Sequence, residues 1–263
     1  MRTSKIVPTI IFPIVLPRVR LGQNLDSVVL RTLHEHDFTL RNGDIICIAS
    51  KVVSIAERRV IPFKQTCVSN TAQRLAAKYS INRHLAQIIL EQADSIWGGV
   101  SGFLLTLKRG ILTANAGVDV KNSPAESAIL WPADPDDSAS RLRTSLMQDR
   151  NARVGVAIVD SRITPLRLGT IGLTIGFSGF QAIRDYRGKS DLYGRRIKVT
   201  QSNLADDLAA AAHMLMGERN ERNGLIVVRN APVKMTDGGS KLTLDRTRCL
   251  IGSSLISSMR LEP

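Results

Sequence analysis

Aromatic side chains are scarce in this chain, since they make up 4% of its 263 residues. Proteins that bind single-stranded nucleic acid without sequence preference stack bases on aromatic rings, so this scarcity argues against that class. Acidic residues are also outnumbered, with 23 Asp and Glu against 36 Lys and Arg, which leaves a formal net charge of +13. An excess of positive charge concentrates anions near a protein surface. We therefore expect small anionic partners and consider nucleic acid unlikely.

Cysteine and long apolar runs are rare as well. The three cysteines, Cys47, Cys67 and Cys249, lack the spacing of a metal site, and their odd number argues against a disulfide scaffold. They fit a reducing compartment. No apolar segment approaches the length of a membrane span, and prolines interrupt the apolar N-terminal run. These absences predict a cytoplasmic protein without a membrane segment.

The standard nucleotide-binding and hydrolase motifs are also missing. The sequence contains no P-loop, no Rossmann glycine fingerprint, no nucleophile elbow and no HExxH pair. Any nucleotide site must therefore be built in another way.

Helix signals recur along the chain. Asn24 and Ser69 are predicted N-caps, and the acidic segment ADPDD suits the positive end of a helix dipole. A long helix is predicted over 203–216, and Gly217 ends it.

Strand signals alternate with these helices. Strands are predicted at 44–49, 154–159 and 225–229, and a hairpin is predicted to turn at Arg109–Gly110. After Ser50–Lys51 we expect a second short strand that ends near Val60. The mixture, with no internal repeat and no linker, predicts an α+β protein.

Two acidic loops are candidates for a metal site. Asp119 lies in the segment ANAGVDVKN, and Asp160 with Ser161 follows the apolar strand 154–159. Mg²⁺ and Mn²⁺ take one or two carboxylates and complete their shell with water and phosphate oxygens. An Asx-rich turn is the alternative interpretation of the first loop by itself. Two such loops in one chain favour a metal-assisted phosphate site.

Eight segments of the sequence resemble one known family in their order and spacing. They are GDIICIASKVVS, TANAGVD with a later asparagine, ADPDDSASRLR, VDS, TIGFSG, RDYRGKSDLYGRR, LADDLAAAAHMLMG and LIVVRN. Together they resemble the coenzyme F-420-0:L-glutamate ligases, the γ-glutamyl ligases of deazaflavin biosynthesis, over about 13–229. The resemblance implies an α+β subunit of two interlocked lobes, with 1–263 as a single catalytic unit that forms a homodimer.

The resemblance also implies an activity. It implies a ligase that uses GTP as co-substrate and Mn²⁺ or Mg²⁺ as cofactor, with K⁺ as a further cation. GTP would phosphorylate the carboxylate of F-420-0, and the amine of L-glutamate would attack the acyl phosphate to form an amide. The implied partners are GTP, L-glutamate and F-420-0 or a similar phosphorylated acceptor.

Candidate site residues follow from the same resemblance. The metal aspartates of the family correspond to Asp119 and Asp160, which are the catalytic candidates, and Ser161 replaces the usual threonine. A further metal contact corresponds to Glu218. The nucleotide-binding candidates are Leu16, Pro17, Arg18, Val19, Ser50, Lys51, Asn122, Met216, Gly217, Glu218, Arg219, Asn220, Glu221, Arg222 and Asn223.

The sequence departs from the family pattern in two segments. The usual KAEGR reads IAERR, so Ile55 replaces a lysine expected to contact phosphate and Arg58 replaces a glycine. The usual DTFGRPWR reads DSRITPLR, so that Ile163 and Thr164 stand where the family has Gly and Arg. Two alternatives stay open: a paralogous amino-acid ligase with a different anionic acceptor, and a non-catalytic homologue that binds anions or nucleic acid.

Overall fold

The computed structural model describes residues 7–238 and 241–259. The chain divides into two compact units. The first contains 7–62 and 119–238, and the second contains 63–118 and 241–259. The chain therefore leaves the first unit after residue 62, returns to it at 119 and passes into the second unit again from 241. The single catalytic unit implied by the resemblance stays a prediction.

Helices and strands are both present in the described residues, which confirms the α+β class. The helices are α1 (Leu25–Glu35), α2 (Ser50–Ala56), α3 (Asn70–Tyr79), α4 (Arg83–Gln92), α5 (Pro135–Arg150), α6 (Leu204–Met216) and α7 (Leu250–Met259). The strands are β1 (Ile10–Ile14), β2 (Ile45–Ala49), β3 (Val60–Pro62), β4 (Ser95–Val100), β5 (Phe103–Lys108), β6 (Ile111–Ala114), β7 (Ser127–Ile129), β8 (Gly155–Ile163), β9 (Thr170–Ser178), β10 (Ile183–Asp185), β11 (Gln201–Asn203) and β12 (Leu225–Arg229).

A five-stranded sheet forms the centre of the first unit, in the order β1-β12-β2-β8-β9. Strands β2 and β8 run parallel, with Ala49 opposite Val159, and the other neighbours are antiparallel. The apolar residues of β2 and of the first half of β8 are buried without alternation, as expected for strands covered on both faces. Because β2 and β8 are parallel, their carboxyl ends meet at one edge of the sheet. At this edge the start of α2 lies beside Asp160.

Two glycines of β9 allow helices to pack closely on this strand. A Cβ atom on Gly172 would lie 2.1 Å from the carbonyl oxygen of Ala209 in α6, and one on Gly176 would lie 2.4 Å from the carbonyl carbon of Pro135 at the start of α5. Larger residues would push either helix away from the sheet. A β-bulge between Ile158 and Val159 interrupts the regular register of β8 and β9.

The predicted helix ends agree with the structure. The side chains of Asn24 and Ser69 accept hydrogen bonds from the first turns of α1 and α3, and Gly217 follows the last residue of α6. Lys108 lies opposite Ile111, which confirms the hairpin turn between them.

The prediction of a strand after Ser50–Lys51 is wrong. This segment forms helix α2, in which the hydroxyl of Ser54 donates to the carbonyl of Ser50 and the side chains of Val53 and Ser54 are buried. Burial against the sheet outweighs the strand preference of the branched residues in VVSI. The short strand β3 begins only at Val60.

The second unit contains the antiparallel sheet β4-β5-β6 and helices α3, α4 and α7. The amide oxygen of the buried Asn115 accepts a hydrogen bond from the backbone of Leu104, which fixes the turn after β6. In the part of the chain that the structure describes, no helix has the length and apolar character needed to cross a membrane.

Candidate functional site

Asp160 lies where β8 passes the start of α2. Its Oδ1 accepts a hydrogen bond of 3.0 Å from the hydroxyl of Ser50, its Oδ2 accepts one from the indole N–H of the buried Trp131, and the backbone N–H of Ser161 also donates to it. Burial raises the pKa of Asp160, and these hydrogen bonds and the charge of Lys51 offset only part of that effect. A nearby cation therefore stabilises this carboxylate.

Lys51, in the first turn of α2, provides such a cation. Its Nζ lies 2.6 Å from Oδ2 of Asp119, and the two side chains are 27% and 30% exposed. The backbone of Asp119 exchanges hydrogen bonds of 3.0 and 2.8 Å with Ile129, which fixes the position of the loop. Lys51 thus acts on both predicted metal aspartates.

Glu218 follows α6 and accepts three side-chain hydrogen bonds. Thr170 and His213 contact its Oε1 at 2.8 and 2.9 Å, and Nζ of Lys121 lies 3.1 Å from its Oε2. Burial raises the pKa of Glu218, but the hydrogen bonds from Thr170, Lys121 and His213 outweigh burial and lower the pKa to about 2. Glu218 is therefore ionised at neutral pH.

These groups form a row in which acidic and basic residues alternate: Asp160, Lys51, Asp119, Lys121 and Glu218. We call it the alternating row. Lys121 connects its second half, because its backbone N–H donates to Oδ1 of Asp119 at 2.7 Å and its Nζ contacts Glu218. The three carboxylates predicted from the resemblance therefore lie in one connected cluster of the first unit, with a lysine between each neighbouring pair.

The predicted nucleotide-binding segments also converge in the first unit. The backbone N–H of Leu16 donates to the carbonyl of Arg222, and the side-chain amide of Asn122 donates to the carbonyl of Arg219, both at 2.9 Å. In the segment Leu16–Val19 the first and last side chains are buried, and those of Pro17 and Arg18 are exposed. Buried ends anchor this segment and leave its middle accessible to a ligand.

The loop after α6 is folded around Glu221. Its Oε2 accepts the backbone N–H of Arg219 at 2.8 Å, and the side chain of Asn223 donates to the carbonyl of Leu215 at 3.0 Å. Gly217 has φ 74°, and a Cβ at this position would lie 2.4 Å from Cδ of Glu221. Met216 is buried at the end of the helix, whereas Asn220 is exposed on the loop. A glycine at 217 is therefore required for this loop conformation.

Comparison with known proteins adds the decisive observation. The family described as F420-0:Gamma-glutamyl ligase matches residues 13–230. The chain belongs to this family. The match agrees with the extent of the resemblance seen in the sequence.

Individual relatives within the family are similar over most of their length. A coenzyme F420:L-glutamate ligase of Methanococcus maripaludis is 38% identical over 205 residues, which cover 78% of this chain and 82% of the relative. The protein of the same name from Archaeoglobus fulgidus is 34% identical over 85% of this chain and 88% of its own. The one from Methanopyrus kandleri is 37% identical, with the same coverage of both chains.

The oxygen donors of the alternating row suit a divalent ion that binds together with a nucleotide. Within the described residues, no group of three or more His, Cys, Asp or Glu side chains is arranged to hold a metal by itself. Asp119 and Asp160 share Lys51, and Mg²⁺ or Mn²⁺ needs only one or two carboxylates when phosphate and water complete the shell. The donor set of this family member therefore fits such an ion, and the metal ligands stay a prediction.

Ser161 enters the site through its backbone. It lies opposite Gly172 in the β8–β9 pair and is half-buried. Its backbone N–H donates to Asp160. The predicted role of this hydroxyl as a metal ligand stays untested.

Four residues of the site were not singled out as site residues from the sequence: Lys121, Trp131, Thr170 and His213. Lys121 and Glu218 are 97 positions apart, and Trp131 is 29 positions from Asp160. A sequence pattern contains no signal for such pairs. His213 lies in the Ala-rich helix α6, five positions before Glu218, and contacts it.

Proposed function

We propose that this protein is a GTP- and divalent-metal-dependent ligase that joins L-glutamate to the carboxylate of coenzyme F-420-0. Family membership supports ligation of glutamate, and relatives over most of the chain carry the name coenzyme F420:L-glutamate ligase. The alternating row is the observation that carries the proposal, because it joins all three predicted metal carboxylates to lysines beside the predicted nucleotide segments.

The reaction has two steps. First, an oxygen of the acceptor carboxylate forms a bond to the γ-phosphorus of GTP, and the bond from this phosphorus to the bridging oxygen breaks, so that GDP leaves. The amine nitrogen of L-glutamate then forms a bond to the acyl carbon, the bond from this carbon to the phosphate oxygen breaks, and inorganic phosphate and a proton leave.

Phosphoryl transfer of this kind depends mainly on positioning and on neutralised charge. Ser50, Trp131 and the N–H of Ser161 hold the Asp160 carboxylate, and Ile129 holds the Asp119 loop. A divalent ion bound by Asp119 and Asp160, with Ser161 and Glu218 as further predicted ligands, would neutralise the phosphate oxygens.

The lysines and the loops position the other groups. Lys51 and Lys121 provide positive charge at the carboxylates, while the loops that contain Asn122 and Arg219 are held together by a direct hydrogen bond. The net charge of +13 favours GTP, L-glutamate and an acidic acceptor alike.

A different anionic acceptor is the second candidate. Ile163 and Thr164 replace a Gly-Arg pair of the family pattern just beyond Asp160, and Ile163 is 59% exposed. Loss of an arginine this close to the site would change the anion that the acceptor pocket recognises.

We also propose a cytoplasmic homodimer. Large apolar side chains, among them Leu166, Leu168 and Leu192, are fully exposed in the single chain, and an interface between copies would cover them. Light scattering coupled to size-exclusion chromatography measures the mass in solution, and a monomeric mass would contradict this part of the proposal.

The activity is tested with purified protein, F-420-0, L-glutamate, GTP and Mn²⁺. We expect a product heavier by one glutamate residue, together with GDP and phosphate in equal amounts, and no product when GTP or the metal is omitted. A panel of other carboxylate acceptors, analysed by mass spectrometry, tests the second candidate. GTP that is bound but never consumed with any acceptor would favour the non-catalytic homologue.

A further inference from the structure

Two predicted metal ligands are engaged by lysines. Oδ2 of Asp119 lies 2.6 Å from Nζ of Lys51, and Oε2 of Glu218 lies 3.1 Å from Nζ of Lys121. Each contact uses a carboxylate oxygen that a divalent ion would also use. An ammonium group and a metal ion carry like charges, so they cannot share one oxygen at these distances without strong repulsion. Binding of the ion to the same oxygen therefore favours departure of the lysine.

Both lysines can move without disturbing the core. The side chain of Lys51 is 27% exposed and that of Lys121 is 60% exposed, and lysine has a flexible four-carbon stem. Lys51 belongs to the first turn of α2, and Lys121 precedes Asn122, which contacts the loop after α6. Phosphate groups bound between these segments would lie within reach of both ammonium groups.

We propose that Lys51 and Lys121 are exchangeable counter-cations: they neutralise Asp119 and Glu218 before the divalent ion binds, and they transfer to the phosphates of the nucleotide when the ion takes the carboxylates. This inference rests on the proposed function. Before binding, the lysines prevent repulsion among three carboxylates of one cluster. After binding, the same charges stabilise the phosphates. Metal and nucleotide would consequently bind with positive cooperativity.

Binding of Mn²⁺ without nucleotide distinguishes this exchange from a purely structural ion pair. For Lys51→Met we expect Mn²⁺ to bind about threefold to tenfold more tightly than to the parent, because a competing cation is removed. In the presence of Mn²⁺ we expect GTP to bind about tenfold more weakly, because a charge-assisted contact to phosphate is lost. A structural ion pair would weaken both affinities or neither. Calorimetry and the electron paramagnetic resonance signal of free Mn²⁺ measure the two constants.

Matched variants separate exchange from a general change of charge. Lys198→Met removes one charge from an exposed position of the same unit and should leave both affinities unchanged. Lys51→Arg keeps the cation and should keep the Mn²⁺ affinity of the parent. For Lys121→Met, which frees Glu218, we expect the same two shifts as for Lys51→Met: tighter Mn²⁺ binding and weaker GTP binding. Agreement between the two variants would exclude a folding defect of one variant as the cause.

The outcomes are distinguishable. If the parent binds Mn²⁺ and forms the amide, but both lysine variants bind Mn²⁺ no more tightly than the parent, the exchange is overturned and the proposed function stands. If the parent and both lysine variants bind Mn²⁺ only together with GTP, the exchange alone is overturned. If the parent binds no Mn²⁺ with or without GTP, the metal dependence of the proposed function and the exchange both fail. Opposite shifts in the two affinities support the exchange.

Discussion

The ammonium of Lys51 contacts the carboxylate of Asp119 at 2.6 Å, although Lys51 lies in the first turn of α2 and Asp119 lies in the loop before β7. Lys51 also acts electrostatically on Asp160. One side chain thus connects the two aspartates on which the proposed chemistry depends, and substitutions at and around this pair provide direct tests.

Asp119→Asn and Asp160→Asn should each abolish amide formation with Mn²⁺. They should differ in stability. Asp160 accepts hydrogen bonds on both oxygens, and an asparagine NH₂ cannot accept one. We therefore expect the free energy of unfolding of the Asp160→Asn variant to be lower than that of the parent by about 1–3 kcal/mol. Asp119→Asn should change it by less, because that side chain is partly exposed. Turnover and urea unfolding measure both effects, and normal turnover in either variant would show the metal assignment to be wrong.

Trp131→Phe tests the support of Asp160 separately. The indole N–H is the donor to Oδ2, and the ring is 2% exposed. Phenylalanine removes this donor and leaves the ring volume only partly filled, so we expect lower stability by about 2–4 kcal/mol and reduced turnover. Urea unfolding and single-turnover kinetics measure these losses. A variant with full turnover would show that this hydrogen bond does not position the carboxylate for the reaction.

Arg58 should replace the phosphate contact that Ile55 cannot make. Of the cations nearest to Ile55, Lys51 already has a proposed role of its own in the exchange between Asp119 and the phosphates, Nε of Arg59 donates to the carbonyl of Trp131 at 3.1 Å, and Arg58 is exposed. Arg58→Gln should weaken GTP binding about tenfold, whereas Ile55→Lys should change it little. Arg59→Gln should chiefly lower stability. Calorimetric titration of GTP into the three variants decides between these roles, and parent-like binding by Arg58→Gln would contradict the role of Arg58.

Arg58→Gly restores the residue that is usual in the family. It separates the effect of the backbone conformation at position 58 on stability from the effect of the Arg58 charge on GTP binding. Arg58 has φ 58°, a conformation that glycine adopts at lower cost. We expect a higher melting temperature together with weaker GTP binding. A variant that gains stability and binds GTP like the parent would assign Arg58 no role in nucleotide binding.

Gly217→Ala tests the loop after α6. A methyl group would collide with Glu221 and displace the loop that contacts Asn122, so nucleotide binding should weaken several-fold. Gly188→Ala is the matched control, because Gly188 also has positive φ (81°) but has nothing within 4 Å of the added carbon. If Gly217→Ala and Gly188→Ala lose the same GTP affinity relative to the parent, the collision with Glu221 does not explain the loss, and backbone strain does.

The sequence determined the local elements and the chemical class of the site. Periodicity and caps located α1, α5 and α6, because these signals depend on residues within one or two turns. The two acidic loops that contain Asp119 and Asp160 favour a hard cation, and the order of eight segments indicates the family. Helix α2 was mistaken for a strand, since its branched residues prefer strands and its burial against the sheet is not visible in the sequence.

The way in which these residues are combined depends on long-range packing. The parallel pairing of β2 and β8 places Ser50 and Lys51 beside Asp160, and the loops that contain Lys121 and Glu218 meet across 97 positions. Such contacts depend on the packing of the whole unit, because loop closure brings together residues between which no short-range pattern exists. The pairing of each carboxylate with a lysine, on which the proposed competition between lysine and metal depends, follows from that packing.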